Sequence, residues 1–330
     1  MASRLDAPVP GAPAEGSETT KWEVTLSWRN QMSDRHFVGH EDQVNRITEH
    51  SQVINRINQP DVSITRVYPS GWRFSFSIPY LIAERSSPIR DPNTNAVVDR
   101  SETAAKGIGD VTFVARKWLR DPTKSPRGNV SLGFGMKIPT GANNVVDTRA
   151  SIAANGTTTL VTRTVDQSIQ PGDGGFGFIL DLQSYLRFDK NRFAAYASGT
   201  YLLNPQTDSG IRTYRTAPGE EVMSIADVYV ARTGVAWYPG KGWGGSLGLR
   251  AEGVPVYDLI GKSTGFRRPG YAISLEPGIS YTRGPHTFAL QVPYAIDRAR
   301  LVSVPDRANG THGDAAFADY FFIGGYTRRF

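Results

Sequence analysis

Ala318-Asp-Tyr-Phe-Phe-Ile-Gly-Gly-Tyr-Thr-Arg-Arg-Phe330 ends the chain on an aromatic residue, and its spacing decides the fold. Counting back from Phe330 in twos gives Arg328, Tyr326, Gly324, Phe322 and Tyr320, a mostly aromatic face. Period two marks a strand whose faces meet different surroundings. Chain ends are ordinarily frayed and polar, so an aromatic strand that runs to the last residue needs a partner on each edge. A sheet closed into a barrel supplies one, because its last strand pairs with its first. In lipid the final side chain can then sit in the aromatic girdle at the interface.

Eleven further segments of similar length precede this one, most of them alternating. The first sets Trp22, Val24, Leu26 and Trp28 against Glu23, Thr25, Ser27 and Arg29. The third sets Trp72, Phe74, Phe76, Ile78 and Tyr80 against Arg73, Ser75 and Ser77. The fifth sets Val130, Leu132, Phe134, Met136 and Ile138 against Asn129, Ser131, Gly133, Gly135 and Lys137. In the sixth, Phe176, Phe178, Leu180, Leu182, Leu186 and Phe188 oppose Asp181, Gln183, Tyr185 and Arg187. In the tenth, Tyr271, Ile273, Leu275, Ile279 and Tyr281 oppose Ser274, Glu276, Ser280 and Thr282. The remaining strands fall near 61–68, 110–118, 193–202, 226–238, 245–254 and 286–296. Register is ambiguous in the second and eighth, where Arg66 and Tyr229 fit either face.

Connections alternate in length. Short turns fall at Pro69-Ser-Gly71, Arg120–Arg127, Asp189-Lys-Asn191, Pro239–Trp243 and Arg283-Gly-Pro285. Long polar links fall at about 30–52, 82–108, 140–173, 203–225, 255–269 and 297–316. A β-sandwich has no reason for that regularity; an up-and-down membrane barrel does, with tight periplasmic turns and long outer loops. An even strand number returns both ends to the periplasm. The expectation is an all-β, antiparallel up-and-down transmembrane β-barrel of about twelve strands over residues 21–330, with residues 1–20 a flexible periplasmic lead-in.

Composition fits this reading. The 330 residues carry 34 Gly, 14 Tyr and 15 Phe at a mean hydropathy of −0.35, and no run approaches the ~20 apolar residues a membrane helix needs. Barrels hide apolar character in alternation, so they look soluble on average. With no cysteine, disulfides, thiolate metal sites and cysteine nucleophiles are excluded. The net charge of +6 is spread along the chain, so no nucleic-acid patch is read into it. Met1-Ala-Ser-Arg opens straight into polar sequence, which suits a mature chain with an added start Met.

The tail resembles the carboxyl-terminal assembly signal of Gram-negative outer-membrane barrels, with Phe322, Tyr326 and Phe330 at its aromatic positions. Arg328 departs from it, since an aromatic or aliphatic residue is commoner there. That likeness implies the barrel assembly machinery and outer-membrane lipid as partners. Longer motifs add a family. Gly107-Ile-Gly-Asp-Val-Thr-Phe113, Gly133-Phe-Gly-Met-Lys-Ile-Pro-Thr-Gly141, Pro171-Gly-Asp-Gly-Gly-Phe176, Leu275-Glu-Pro-Gly-Ile-Ser-Tyr281 and Gln291-Val-Pro-Tyr294 occur in this order. In these the chain resembles the MetA-pathway of phenol degradation family of outer-membrane proteins, often called simply transporters. The resemblance implies uptake of small, often aromatic, compounds and transfers no catalytic residue. The segment around 143–170 looks specific to this chain.

Twelve strands about 4.8 Å apart and tilted ~40° make a barrel roughly 24 Å across, with an opening on the order of 10–14 Å between side chains. The inward face sets selectivity. Its candidates are Glu23, Arg29, Arg73, Arg116, Lys137, Asp181, Arg187, Arg250, Glu252 and Glu276, six basic and four acidic, which suggests a weak preference for anions. The plainer reading is that these charges pair across the lumen and brace a nearly closed barrel. Tyr185 and Tyr196 either stack on aromatic solutes or fill space. Gly109-Asp110, Gly172-Asp173 and Gly313-Asp314 each precede a descending strand. They read as an acidic ring at the outer mouth or, more simply, as turn chemistry.

Other chemistry is thin. His36, His40, Glu41, Asp42 and His50 share the first outer loop, at spacings that fit no metal site. His286 lies at the periplasmic end of a strand, far from where a hydrolase of the outer leaflet would need it. The function expected is a passive, non-enzymatic channel for small solutes, aromatic or anionic compounds among them, without metal or organic cofactor. The competing expectation is a non-conducting scaffold barrel that anchors a partner complex.

Overall fold

The computed structural model describes residues 20–190 and 192–330. The lead-in expected at 1–20 therefore lies almost entirely outside the described residues. Twelve antiparallel strands make the wall: β1 (Lys21–Ser33), β2 (Ile54–Val67), β3 (Trp72–Arg90), β4 (Val111–Trp118), β5 (Gly128–Ile138), β6 (Gly177–Phe188), β7 (Phe193–Leu203), β8 (Val228–Gly240), β9 (Trp243–Val254), β10 (Gly270–Arg283), β11 (His286–Gln291) and β12 (Phe321–Arg329). Each pairs with its neighbours in sequence, and β12 returns to β1 with Glu23 opposite Arg329 and Gln31 opposite Phe321. No edge is left open, which is the condition for a sheet in lipid.

Alternation orients every strand. Leu26, Leu132, Phe134, Leu180, Leu247, Leu249 and Ile279 stand exposed on the outer wall. A lipid-filled bilayer would take each out of water, worth roughly 1.5–3 kcal/mol per large apolar side chain. Trp22, Trp72, Phe188, Trp237, Trp243 and Phe330 ring the outside near the short turns, while Tyr80, Phe176, Tyr294 and Tyr320 ring it near the long links. These are the two aromatic girdles of a membrane barrel. The two ambiguous strands resolve in the same way. Arg66 follows Val62 and Ile64 outward and lies over the Trp22 ring at 4.5 Å, and Tyr229 shares the outward parity of Val235 and Trp237.

The long links hold more structure than a polar-loop reading allows. β3 continues to Arg90 and pairs there with Val97–Ile108, an upward extension of β4. The wall breaks twice near a proline. Between that extension and β4, Gly109 donates to the carbonyl of Pro79 at 2.8 Å; above β11, Val292-Pro293 interrupts the strand before Tyr294–Arg300 resumes pairing with β10. Proline lacks a ladder donor and belongs at such breaks. The segment 143–170 forms a hairpin, Val146–Ile152 with Thr158–Thr164, followed by a 3₁₀ turn at Gln167–Ile169. The last link carries a short helix, Val304–Ala308, whose Ser303 and Asp306 cap each other's backbone.

Candidate functional site: the lumen

Inward positions bring the predicted charges together in three groups. At mid-height, Arg29 of β1 reaches Glu252 of β9 at 2.8 Å, Arg250 holds Glu252 at 2.6 Å and approaches Glu276 of β10 at 3.5 Å. Arg232 of β8 donates through Nε to Glu276 at 2.9 Å and through Nη2 to Gln291 of β11 at 2.8 Å. Phe321 of β12 lies under the Arg29 guanidinium, 3.8 Å from its ring centre. Arg29, Arg232, Arg250 and Glu276 are each no more than 3% exposed. Coulomb attraction of about 4 kcal/mol per contact at an effective dielectric near 20 is offset by desolvation of several kcal/mol per ion. Net stabilisation is therefore small, while loss of one member is costly.

A second group joins β4, β6 and β7. Arg116 straddles both carboxylate oxygens of Asp181, which also accepts from Thr200 at 3.0 Å. The third group sits at the outer ends of β4, β5 and β6, where buried Lys137 bridges to Asp173 and lies 3.9 Å from Asp110. Asp110 also accepts from Gly141 at 3.0 Å and Asp173 from Gly175 at 2.9 Å, so the Gly-Asp turns combine turn chemistry with charge pairing. A Cβ at Gly172 would sit 2.2 Å from the Gly141 carbonyl, and only glycine allows that approach. Asp314 pairs elsewhere, with His36 and Arg46, so the three aspartates form no common ring.

Below the mid-height network many inward side chains are small. Glu23, Arg73 and Arg329 pair at the periplasmic rim. Above them Thr25, Ser27, Ser63, Ser75, Ser77, Ala289, Gly325 and Thr327 line one side of the wall, all small and all partly exposed. They bond sideways to one another, as in Ser63 to Ser77 at 2.6 Å and Thr25 to Thr327 at 2.9 Å. A Cβ at Gly325 would meet nothing within 4 Å. On the opposite side, Tyr196 is 5% exposed and its hydroxyl presses on Gly234 and Gly248, so it fills space. Tyr185 packs edge-on to Trp118 at 5.5 Å and under Arg187 at the rim.

Above the network the inner face is not uniformly polar. Val114, Ile179, Leu202, Val228 and Val230 form one apolar cluster on the inner wall. Leu81, Ala83 and Ala105 form another, with Val165 and Ile169 of the 143–170 segment folded in against them. A wholly wet tunnel, the expectation from alternation, is thus corrected: inward apolar residues pack on each other and on an entering loop. Ser168 and Arg85 meet at 3.3 Å, Gln167 donates to the Ser224 carbonyl, and Arg268 grips Asp166 at 2.8 and 3.0 Å. Burial would raise the Asp166 carboxyl, yet Arg268 and Arg85 hold it well below the usual carboxylate range.

The histidines separate. His36 is buried, with Nδ1 2.6 Å from Asp314 and Nε2 accepting from the Val53 amide at 2.8 Å, whereas His40 is exposed beside Asp297. His286 pairs with the Tyr326 hydroxyl at 2.8 Å on the outer wall. Arg232 and Gln291 are the network members that sequence reading missed. The first sits on the strand whose register was ambiguous, and the second is uncharged.

No protein-family model matches this sequence, and no curated protein matches it. Solved structures do. An outer-membrane channel from Pseudomonas putida F1 superposes with a TM-score of 0.64 at 10% identity, covering 98% of this chain and 100% of that one. The fold is that of an outer-membrane β-barrel. The translocator domain of autotransporter NalP from Neisseria meningitidis (TM-score 0.46, 11% identity, 96% of this chain and 91% of that one) is more distant, and that similarity carries no argument here. The same holds for the P. putida toluene transporter TodX (TM-score 0.44, 9% identity, 95% and 90%).

Proposed function

We propose that this barrel is a passive channel for small solutes, aromatic and anionic compounds among them. One observation carries the reading: the periplasmic half of the lumen is lined on one side by small, partly exposed side chains, and among the described residues nothing lies within 4 Å of a Cβ placed at Gly325. A barrel built only to anchor a partner gains nothing from such a space, whereas a solute path requires it. Among the described residues, what lies above this space in the lumen is side chains and the inward-folded 143–170 segment. The motif resemblance to the MetA-pathway family supports aromatic solutes in particular.

Gly325→Trp tests this. The indole enters open space, so the variant should fold and migrate as the parent does, yet lower single-channel conductance in planar bilayers several-fold. A parent protein silent in bilayers and in liposome swelling, with Gly325→Trp indistinguishable from it, would sink the channel and leave the scaffold barrel.

A further inference from the structure

Most of the predicted lumen charges are taken up in ion pairs, so a further source of charge preference is to be sought outside them. One lies in the outer chamber, where the 143–170, 203–225 and 255–269 links meet the top of β3. Arg85, Arg149, Arg163, Arg215 and Arg268 gather there around two carboxylates, Asp166 and Glu220, with Asp147 opposite Arg163 in the hairpin and Asp314 acting on Arg268 from the side. Both carboxylates are already engaged: Asp166 takes Arg268 and, at 3.4 Å, Arg85, while Glu220 takes Arg215 at 3.1 Å. Neighbouring Arg46 and Arg300 are matched by Asp314 and Asp306.

Arg149 and Arg163 are left over. Among the described residues the Arg149 guanidinium makes no hydrogen bond or ion pair, and that of Arg163, across the hairpin from Asp147, makes no ion pair and lies over the Tyr214 ring at 5.7 Å. Burial, then the like charge of Arg163, lowers the Arg149 pKa, and Asp166 offsets this only in part. The chamber is wetted all the same. Side chains of Arg85, Asp166, Arg268 and Arg215 keep 13, 18, 20 and 41% of their surface accessible. Phe266 is buried against Arg215 at 3.8 Å and Arg268 at 4.6 Å, which holds both guanidinium planes in place. A planar guanidinium stacked on one ring can accept another on its free face, and its edge binds a carboxylate.

We propose that this chamber captures small organic carboxylates, ring-bearing ones included, on the Arg149 and Arg163 guanidiniums with Arg215 as a stacking surface. The site lies inside the mouth and takes free solutes, not lipid headgroups of the outer wall. It deepens the channel reading by naming the solute class, but its measurement needs no flux. Full-length protein folded in detergent is titrated calorimetrically with benzoate, benzyl alcohol and sulfate. Benzoate should bind saturably, benzyl alcohol should not, and sulfate should compete weakly. Arg149→Gln with Arg163→Gln should weaken benzoate about tenfold or more. Arg328→Gln on the outer wall removes the same kind of charge and should leave binding unchanged. Absence of benzoate binding, equal binding of benzyl alcohol, sulfate binding as tight as benzoate, or an unaffected double variant would each overturn the proposal. A barrel that binds benzoate yet conducts nothing would count against the channel alone.

Discussion

At the scale of single residues, the outer wall tolerates what lipid tolerates and the inner wall what its neighbours leave room for. Leu132 is half exposed, directly beside Leu182 of β6 and Lys117 of β4. It faces hydrocarbon, where a guanidinium has no partner. Leu132→Arg should therefore lower barrel stability by roughly 2–4 kcal/mol if the position is near the midplane, less toward the rim. Urea titration of the refolded barrel in bilayers checks this, and an unchanged midpoint would mean that the wall is phased the other way. Gly325 shows the inner rule: among the described residues nothing lies within 4 Å of a Cβ there, so on the channel reading a larger side chain should act on passage, not on folding.

At the scale of elements, all twelve strands and the alternation of short and long connections were legible from period two, because lipid outside and crowding inside leave a strand only two kinds of position. The inward directions of Glu23, Arg29, Lys137 and Glu276 followed from the same pattern. Which charge meets which did not, since Arg29 and Glu252 stand 223 residues apart and only closure of the sheet brings them together. The links were least legible. Gln167–Ile169 and Phe266 have no period to read; they are ordered by contacts with distant segments. The outer cap is held by charge in the same way, which gives it a pH limit. Burial would raise the Asp314 carboxyl, but the hydrogen bond and charge of His36, then Arg46 and Arg268, bring it down to about 2. A depressed carboxylate stabilises above its unfolded pKa, and that contribution is lost as pH falls through the folded value. Order in segments 35–53 and 311–317 should thus weaken from about pH 4 to pH 2, read as faster amide exchange by mass spectrometry. Asp314→Asn should show the faster exchange already at pH 6, and identical exchange in the two proteins would remove Asp314 from the cap.

At the scale of the molecule, the mid-height network ties β1 to β8–β10 on the inner wall; if it also narrows the passage, stability and passage should move in opposite directions. Glu276 is the member that tests this, because it pairs with Arg232 and also faces Arg250, and both guanidiniums are buried. Glu276→Ala removes a buried carboxylate from both, which should cost about 3–5 kcal/mol. The same change shortens the side chain that spans β8 to β10 and leaves excess positive charge at mid-height. Conductance in planar bilayers should rise, and the reversal potential under a KCl gradient should shift toward chloride selectivity. Replacing the pair together, Arg232→Met with Glu276→Met, should recover most of the stability, since apolar isosteres of a buried ion pair are often neutral or better. A Glu276→Ala barrel that is destabilised yet passes no more current than the parent would mean that the network is only a brace, and that the closure lies in the loops above it.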